Sequence, residues 1–190
     1  MSEQQLTEPT TSGPEGAAAD RRTPVRLLVR ALLVIAVFAA AGALAGVVWE
    51  WWWTPPPGIV AHHQWLQDET GLRGDFSGTG TYVVVALIAG AVVAAVLAAV
   101  LDGAELVTLV AVLVGSVLAG WLMHRVGVAL GPADPHKLAA TTTDGTELPG
   151  RLVVSGASVW RVFPGGALAG LVVVWLGLAS KRARNPRPSS

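Results

Sequence analysis

The sequence predicts an all-α membrane protein with four transmembrane helices, both termini cytoplasmic, and a small extracytoplasmic cap containing short β-strands. Three observations predict it. Apolar residues make up 52% of the 190 residues and charged ones only 14%, against about 25% charged in soluble domains. The apolar residues fall into four blocks, Ala31 to Trp49, Tyr82 to Leu101, Leu106 to Met123 and Phe163 to Ala179, none with Asp, Glu, Lys or Arg between its ends. Lys and Arg crowd the outer flanks of the first and last blocks.

A hydrocarbon core of roughly 30 Å needs about 20 helical residues. Each block is that long or nearly so, and backbone groups in lipid must be satisfied within the segment, so each block is a helix. The spacing places helices at about 26–53, 80–101, 105–130 and 163–181, with external loops at about 54–79 and 131–162. Residues 1–24 are polar and rich in Pro, Gly, Thr and Glu, which predicts a disordered cytoplasmic tail. Residues 181–190 form a basic cytoplasmic tail.

The boundaries have local causes. Pro55, Pro56 and Pro57 stop the first helix, since consecutive prolines lack donors and favour extended chain. Thr79 or Thr81 caps the second. Asp102-Gly103-Ala104-Glu105 is a tight turn that places Glu105 at the positive start of the third helix. Gly131-Pro132 ends the third helix, and Pro164 suits the first turn of the fourth. In the second loop, Asp134-Pro135 is a helix-start signature for one or two turns. Asp144-Gly145 and Pro149-Gly150 are turn signals, and Arg151–Ser155 and Ser158–Phe163 read as short strands joined at Gly156. The first loop holds an apolar run, Ile59-Val60-Ala61, then polar turn residues through Gly80. The two loops are expected to share one cap, neither being long enough for its own core.

Orientation follows from Lys and Arg. Arg21, Arg22, Arg26 and Arg30 precede the first block, and Lys181, Arg182, Arg184 and Arg187 follow the last. The loops hold only Arg73, Lys137, Arg151 and Arg161, with Arg125 near the end of the third helix. Both termini are therefore expected in the cytoplasm, which requires an even number of crossings. Trp49, Trp51, Trp52, Trp53, Tyr82, Trp121 and Trp160 fall at the outer interface, where the tryptophans act as anchors, and Trp175 falls near the inner one. A cleaved leader is the rival reading of the first block, since Ala41-Gly42-Ala43 and Ala43-Leu44-Ala45 resemble the small-residue cleavage pattern, but a leader of more than about 40 residues on a 19-residue apolar block does not match a signal peptide.

Lipid tails are as apolar as Leu, so helix association depends on close packing at small residues. The first helix carries Gly42-Ala-Leu-Ala-Gly46 and the fourth Gly166-Ala-Leu-Ala-Gly170. The second has Ala86, Gly90, Ala94 and Ala98 on one stripe, and the third Ala111 and Gly115, then Ser116 and Gly120. The first two motifs lie at matched depth on helices of opposite direction. They predict a contact between the first and fourth helices through Gly42, Gly46, Gly166 and Gly170.

The chemistry is sparse. Net charge is zero, which excludes nucleic-acid binding by bulk charge. The absence of cysteine excludes disulfides, a thiolate nucleophile and cysteine-ligated metals. His62 and His63, adjacent in an extended chain, would point to opposite sides, and a metal would need His63 with Asp68 or Glu69, or a contribution from the second loop. No recognised ligand spacing is present, and exposed loop histidines are the simpler reading. His124-Arg125 reads as snorkelling side chains at the interface, and Glu50 as a solvated acid, with cation binding or a pair to Arg125 or Arg161 the alternatives. Pumps and transporters place ionisable groups at mid-bilayer, whereas these interiors hold only Thr108 and Ser116 as polar side chains. No phosphate loop, nucleophile–base pair or zinc motif appears. The expectations are therefore no catalytic residue, no metal and no cofactor.

In its order of elements, with a Trp-ended first helix, a Pro-containing outer loop, a Gly/Ala-rich helix pair, Leu130-Gly131-Pro132, and the segment from Asp144-Gly145 to Pro164, the chain resembles an uncharacterised family of actinobacterial four-helix membrane proteins, a domain of unknown function. The resemblance spans about residues 25–180 and implies no activity, ligand or catalytic residue. The expected role is a non-enzymatic scaffold or accessory subunit of an envelope complex in the bacterial plasma membrane, with the lipid bilayer and a second copy or another membrane protein as partners. A small transporter or channel formed by oligomerisation, and an envelope sensor or enzyme binding a ligand around Glu50, His62, His63, His124 or Arg161, are the alternatives.

Overall fold

The computed structural model describes residues 14–101, 105–154, 156 and 159–184. Five helices and a three-stranded sheet follow in the order α1 (Pro14–Trp52), β1 (Pro57–Ala61), β2 (Gln64–Leu66), α2 (Glu69–Val100), α3 (Glu105–Leu130), α4 (Pro135–Ala139), β3 (Glu147–Pro149) and α5 (Val162–Arg184), the last preceded by a 3-10 turn, Val159–Arg161. Three of the helices are long and apolar enough to cross a bilayer, and the apolar stretch of the fourth long helix, Val162–Gly177 within α5, is shorter.

Two helix starts lie earlier than expected. The tail read as disordered falls outside the described residues up to 13, but 14–24 are the first turns of α1. Pro14 stands where a missing N–H costs nothing, and Ala17-Ala18-Ala19 favour helix. The second long helix starts at Glu69, not near 80, and its cap is Asp68, whose carboxylate accepts the Gly71 N–H at 2.9 Å. Thr81 lies inside α2 and bonds back to the Ser77 carbonyl at 2.8 Å. Gly71, Gly74, Gly78 and Gly80 make this stretch read as loop. Three of them are required by packing: a Cβ at Gly74 would press on Pro56, one at Gly78 on Trp53 and one at Gly71 on Gln67. Tertiary contact thus overrides a weak helix propensity.

The four long helices stand in the cyclic order α1, α3, α5, α2, with the largest interfaces between α1 and α3 and between α2 and α5. Both large interfaces are parallel and glycine-packed. Gly42 meets the backbone of Ala119 and Gly46 that of Met123, while Gly115 receives Ile35 and Phe38. Gly166 meets the backbone of Leu87 and Gly170 that of Ala91, while Gly90 receives Phe163 and Ala167. The expected contact of the first and fourth helices through their glycines is therefore not made: those glycines face α3 and α2. α1 and α5 meet instead through Phe38 and Phe163, edge to face at 6.3 Å. Matched depth does not choose a partner, because every helix of this bundle carries small residues at that depth.

One apolar cluster runs the length of the bundle, through Val34, Phe38, Trp49, Tyr82, Ala94, Val112, Met123 and Phe163. On α1 the buried positions 34, 38, 42, 45, 46 and 49 follow the helical period, which turns one stripe inward and leaves the rest outside. The outward faces are broad and apolar, including Leu32, Leu44, Val92, Val96, Val110, Val173 and Leu176.

The sheet joins the two loops, so the shared cap is present, but its strands lie elsewhere than expected. The order is β2-β1-β3, all antiparallel, with Val60 opposite Trp65 and Gly58 opposite Leu148. Arg151–Val154 carry no strand, Val159–Arg161 form the 3-10 turn, and Ser155, Ala157 and Ser158 lie outside the described residues. β1 alternates, with Gly58 and Val60 buried and Pro57 and Ile59 exposed. α4 forms as expected, with Asp134 accepting the His136 N–H at 3.1 Å. Of the expected 102–105 turn, only Glu105 is described, as the first residue of α3.

Candidate functional site in the cap

The tryptophans at the end of α1 divide by face. Trp49 is fully buried and Trp53 nearly so, whereas Trp51 is 83% and Trp52 60% exposed. Positions 49 and 53 continue the buried stripe of α1, so neither is an outward-facing anchor, contrary to the expectation. Trp49 Nε1–H donates to the Gly78 carbonyl at 2.9 Å, and its ring meets Tyr82 edge to face at 5.0 Å. The Tyr82 hydroxyl donates to the Gly120 carbonyl at 3.0 Å, joining α2 to α3. Gly127 leaves the space that the Trp49 ring occupies. This aromatic plug closes the bundle below the sheet.

His124 belongs to the plug rather than to the outward surface of the bundle. Its ring stacks on Trp49 at 6.3 Å and meets Trp160 at 5.0 Å, and its buried Nδ1 makes no hydrogen bond. A cavity of about 30 Å³ lies beside it, lined by Tyr82, Val154 and Trp160. That volume suits a water and little more. Glu50 is half-buried, and Arg125 lies over the Trp121 ring at 5.2 Å. Trp121 and Trp160 are partly exposed near the same end, as is Arg161.

His62 and His63 form the two-residue turn between β1 and β2, with φ of 53° and 58°. They are not extended, and they occupy the left-handed region that favours Asn and Gly in such turns. The Asp144 carboxylate accepts the backbone N–H of His63 at 3.1 Å, and the backbone donors of this turn hold its carboxyl below the usual carboxylate range. Val60 and Gly145 tie the two loops together beside it, the Gly145 N–H donating to the Val60 carbonyl at 2.8 Å. The histidine pair is thus a strained turn clamped by the second loop. Among the described residues no group of three His, Asp or Glu side chains is placed to hold a metal ion.

A groove of about 330 Å³ lies between β2, α4 and the 151–153 segment. Trp65 forms one wall. Its indole donates to the Leu148 carbonyl at 3.2 Å, lies against Gly58 where a Cβ would collide with it, and meets the His136 ring edge to face at 5.2 Å. Asp134 and Arg151, also in the lining, form an ion pair at 3.3 Å, both partly exposed. Gln67 and Val153 complete the lining, and Gln67 Nε2 is buried without a hydrogen-bond partner. Sequence reasoning named none of Trp65, Gln67, Asp134 or Arg151 as a site. The pairing of β1 with β3 brings them together over some eighty residues, and no local pattern announces it.

The remaining expected residues are spread along the bundle. Gly42, Gly46, Gly90, Gly115, Gly166 and Gly170 all sit at helix contacts. Arg21, Arg22, Arg26 and Arg30 lie on the N-terminal part of α1, and Lys181, Arg182 and Arg184 end α5, all remote from the sheet. Arg26 is exposed and Arg30 half-buried. Comparison with protein-family profiles, with curated proteins and with solved structures yields no match.

Proposed function

We propose that this chain is a four-span protein of the bacterial plasma membrane that acts as a non-enzymatic scaffold or accessory subunit of an envelope complex, with both termini cytoplasmic and the sheet-bearing cap outside. The observation that carries this reading is the closed interior. Glycine contacts bring the helices close, and the described core is lined mainly by apolar side chains, with Ser116 buried among them and its hydroxyl donating to the Leu113 carbonyl at 2.9 Å. A proton or ion pathway needs ionisable or hydrated groups at depth, and among the described residues His124, Tyr82 and the water-sized cavity beside them are confined to the plug.

The outward faces support membrane insertion. Apolar side chains cover them, and exposed Trp51, Trp52, Phe76, Trp121 and Trp160 gather toward the cap end as an aromatic belt would. α5 is 23 residues long, about 34 Å at the helical rise. The likeness to actinobacterial four-helix membrane proteins belongs to the same reading.

Reconstitution tests it. Liposomes holding the purified chain should release ions and small solutes no faster than empty ones, and mild extraction should recover the chain in particles heavier than one copy with its detergent. Solute flux above the empty control would favour the oligomeric channel instead.

A further inference from the structure

We propose that the groove between β2, α4 and the 151–153 segment binds a neutral saccharide of one or two rings, held against the Trp65 indole with Asp134, Arg151, His136 and Gln67 toward its hydroxyls. The volume, about 330 Å³, stands at the lower end of ligand pockets, about 300–1,000 Å³. A sugar ring presents one face of C–H groups and a rim of hydroxyls. Its apolar face calls for an aromatic platform, since the indole face is electron-rich and large. Trp65 borders the groove and is fixed in place, by the Leu148 carbonyl at 3.2 Å, by the side-chain-free surface of Gly58 and by the His136 ring edge to face at 5.2 Å.

Each hydroxyl both donates and accepts, so the rim calls for partners of both kinds. Arg151 donates only, Asp134 as a carboxylate accepts only, and imidazole and carboxamide do either. The Asp134–Arg151 pair is long for a charge-assisted bond, 3.3 Å against about 2.7–2.9 Å. It is also exposed, with side-chain exposures of 26% and 46%, and such pairs hold weakly enough to open around a hydroxyl. Charge decides against an anion. The guanidinium in the groove is matched by a carboxylate beside it, so there is no net positive field to hold a carboxylate or phosphate ligand. Asp134 is itself set by the His136 N–H at 3.1 Å, and Gln67 retains an unpartnered donor.

The proposal does not rest on the scaffold reading, because binding in micelles depends on neither topology nor partners. The full-length chain is purified in a zwitterionic detergent without a sugar headgroup. Saturation-transfer NMR is recorded with methyl β-glucoside, maltose and N-acetylglucosamine, and with acetate and phosphate as anion probes. At least one sugar should receive saturation at its ring C–H protons. Val153→Trp fills the groove from a position 41% exposed, so the fold should persist, and it should weaken binding at least tenfold. Trp65→Ala should do the same, and Arg151→Gln should weaken binding only a few-fold. Absence of transfer to all three sugars would overturn the proposal. So would binding left intact by Val153→Trp, and so would displacement of the sugar by acetate or phosphate.

Discussion

The left-handed pair His62 and His63 shows how a residue can oppose its own backbone. An L-residue in that region costs roughly 1–2 kcal/mol, and the turn persists because Asp144 accepts the His63 N–H from the other loop. Replacing His63 with Gly removes the Cβ clash while keeping the N–H, so thermal unfolding in detergent should show a gain of up to about 1 kcal/mol. The Asp144 clamp sets a pH dependence of known sign. Its folded-state carboxyl titrates below its unfolded value, so its contribution is complete above the usual carboxylate range and fades as pH falls through the lowered value. Melting curves of wild type and Asp144→Asn should differ at neutral pH and converge in acid. Tyr82→Phe tests the plug: loss of the buried bond to the Gly120 carbonyl should cost about 0.5–1.5 kcal/mol.

At the scale of elements, two glycine-packed parallel pairs make the bundle. Gly42→Ile and Gly166→Ile should each lower stability by about 1–3 kcal/mol, because the facing atoms are backbone of Ala119 and Leu87 and cannot turn aside. Cysteines at Ile35 and Gly115 should crosslink within one chain under mild oxidant, whereas cysteines at Gly46 and Gly166 should not. The bounds of α3 were legible because a turn and Gly131-Pro132 enclose an unbroken apolar run. The start of α2 was not, because its glycines serve Trp53 and Pro56, which the local sequence cannot announce. Likewise the inward stripe of Trp49 and Trp53 was visible in the spacing from Gly42 and Gly46, but the cluster of four aromatics read as a belt. Sheet pairing between Pro57 and Pro149 joins distant loops and leaves no short-range signature, so the groove it builds was not legible either.

At the scale of the whole molecule, the proposed orientation has the sheet and its groove outside the cell and the basic helix ends inside. The apolar outward surface, the exposed aromatics toward the cap end and the charge at the opposite end support that orientation together. The chain contains no cysteine, so single cysteines report position without background. Ser12, Ser77, Thr142 and Ser189 are each replaced by cysteine and intact cells are treated with a membrane-impermeant thiol reagent. Ser77→Cys and Thr142→Cys should label, and Ser12→Cys and Ser189→Cys should label only after the cells are opened. Labelling of Ser189→Cys in sealed cells, or protection of Thr142→Cys, would contradict the four-span membrane account.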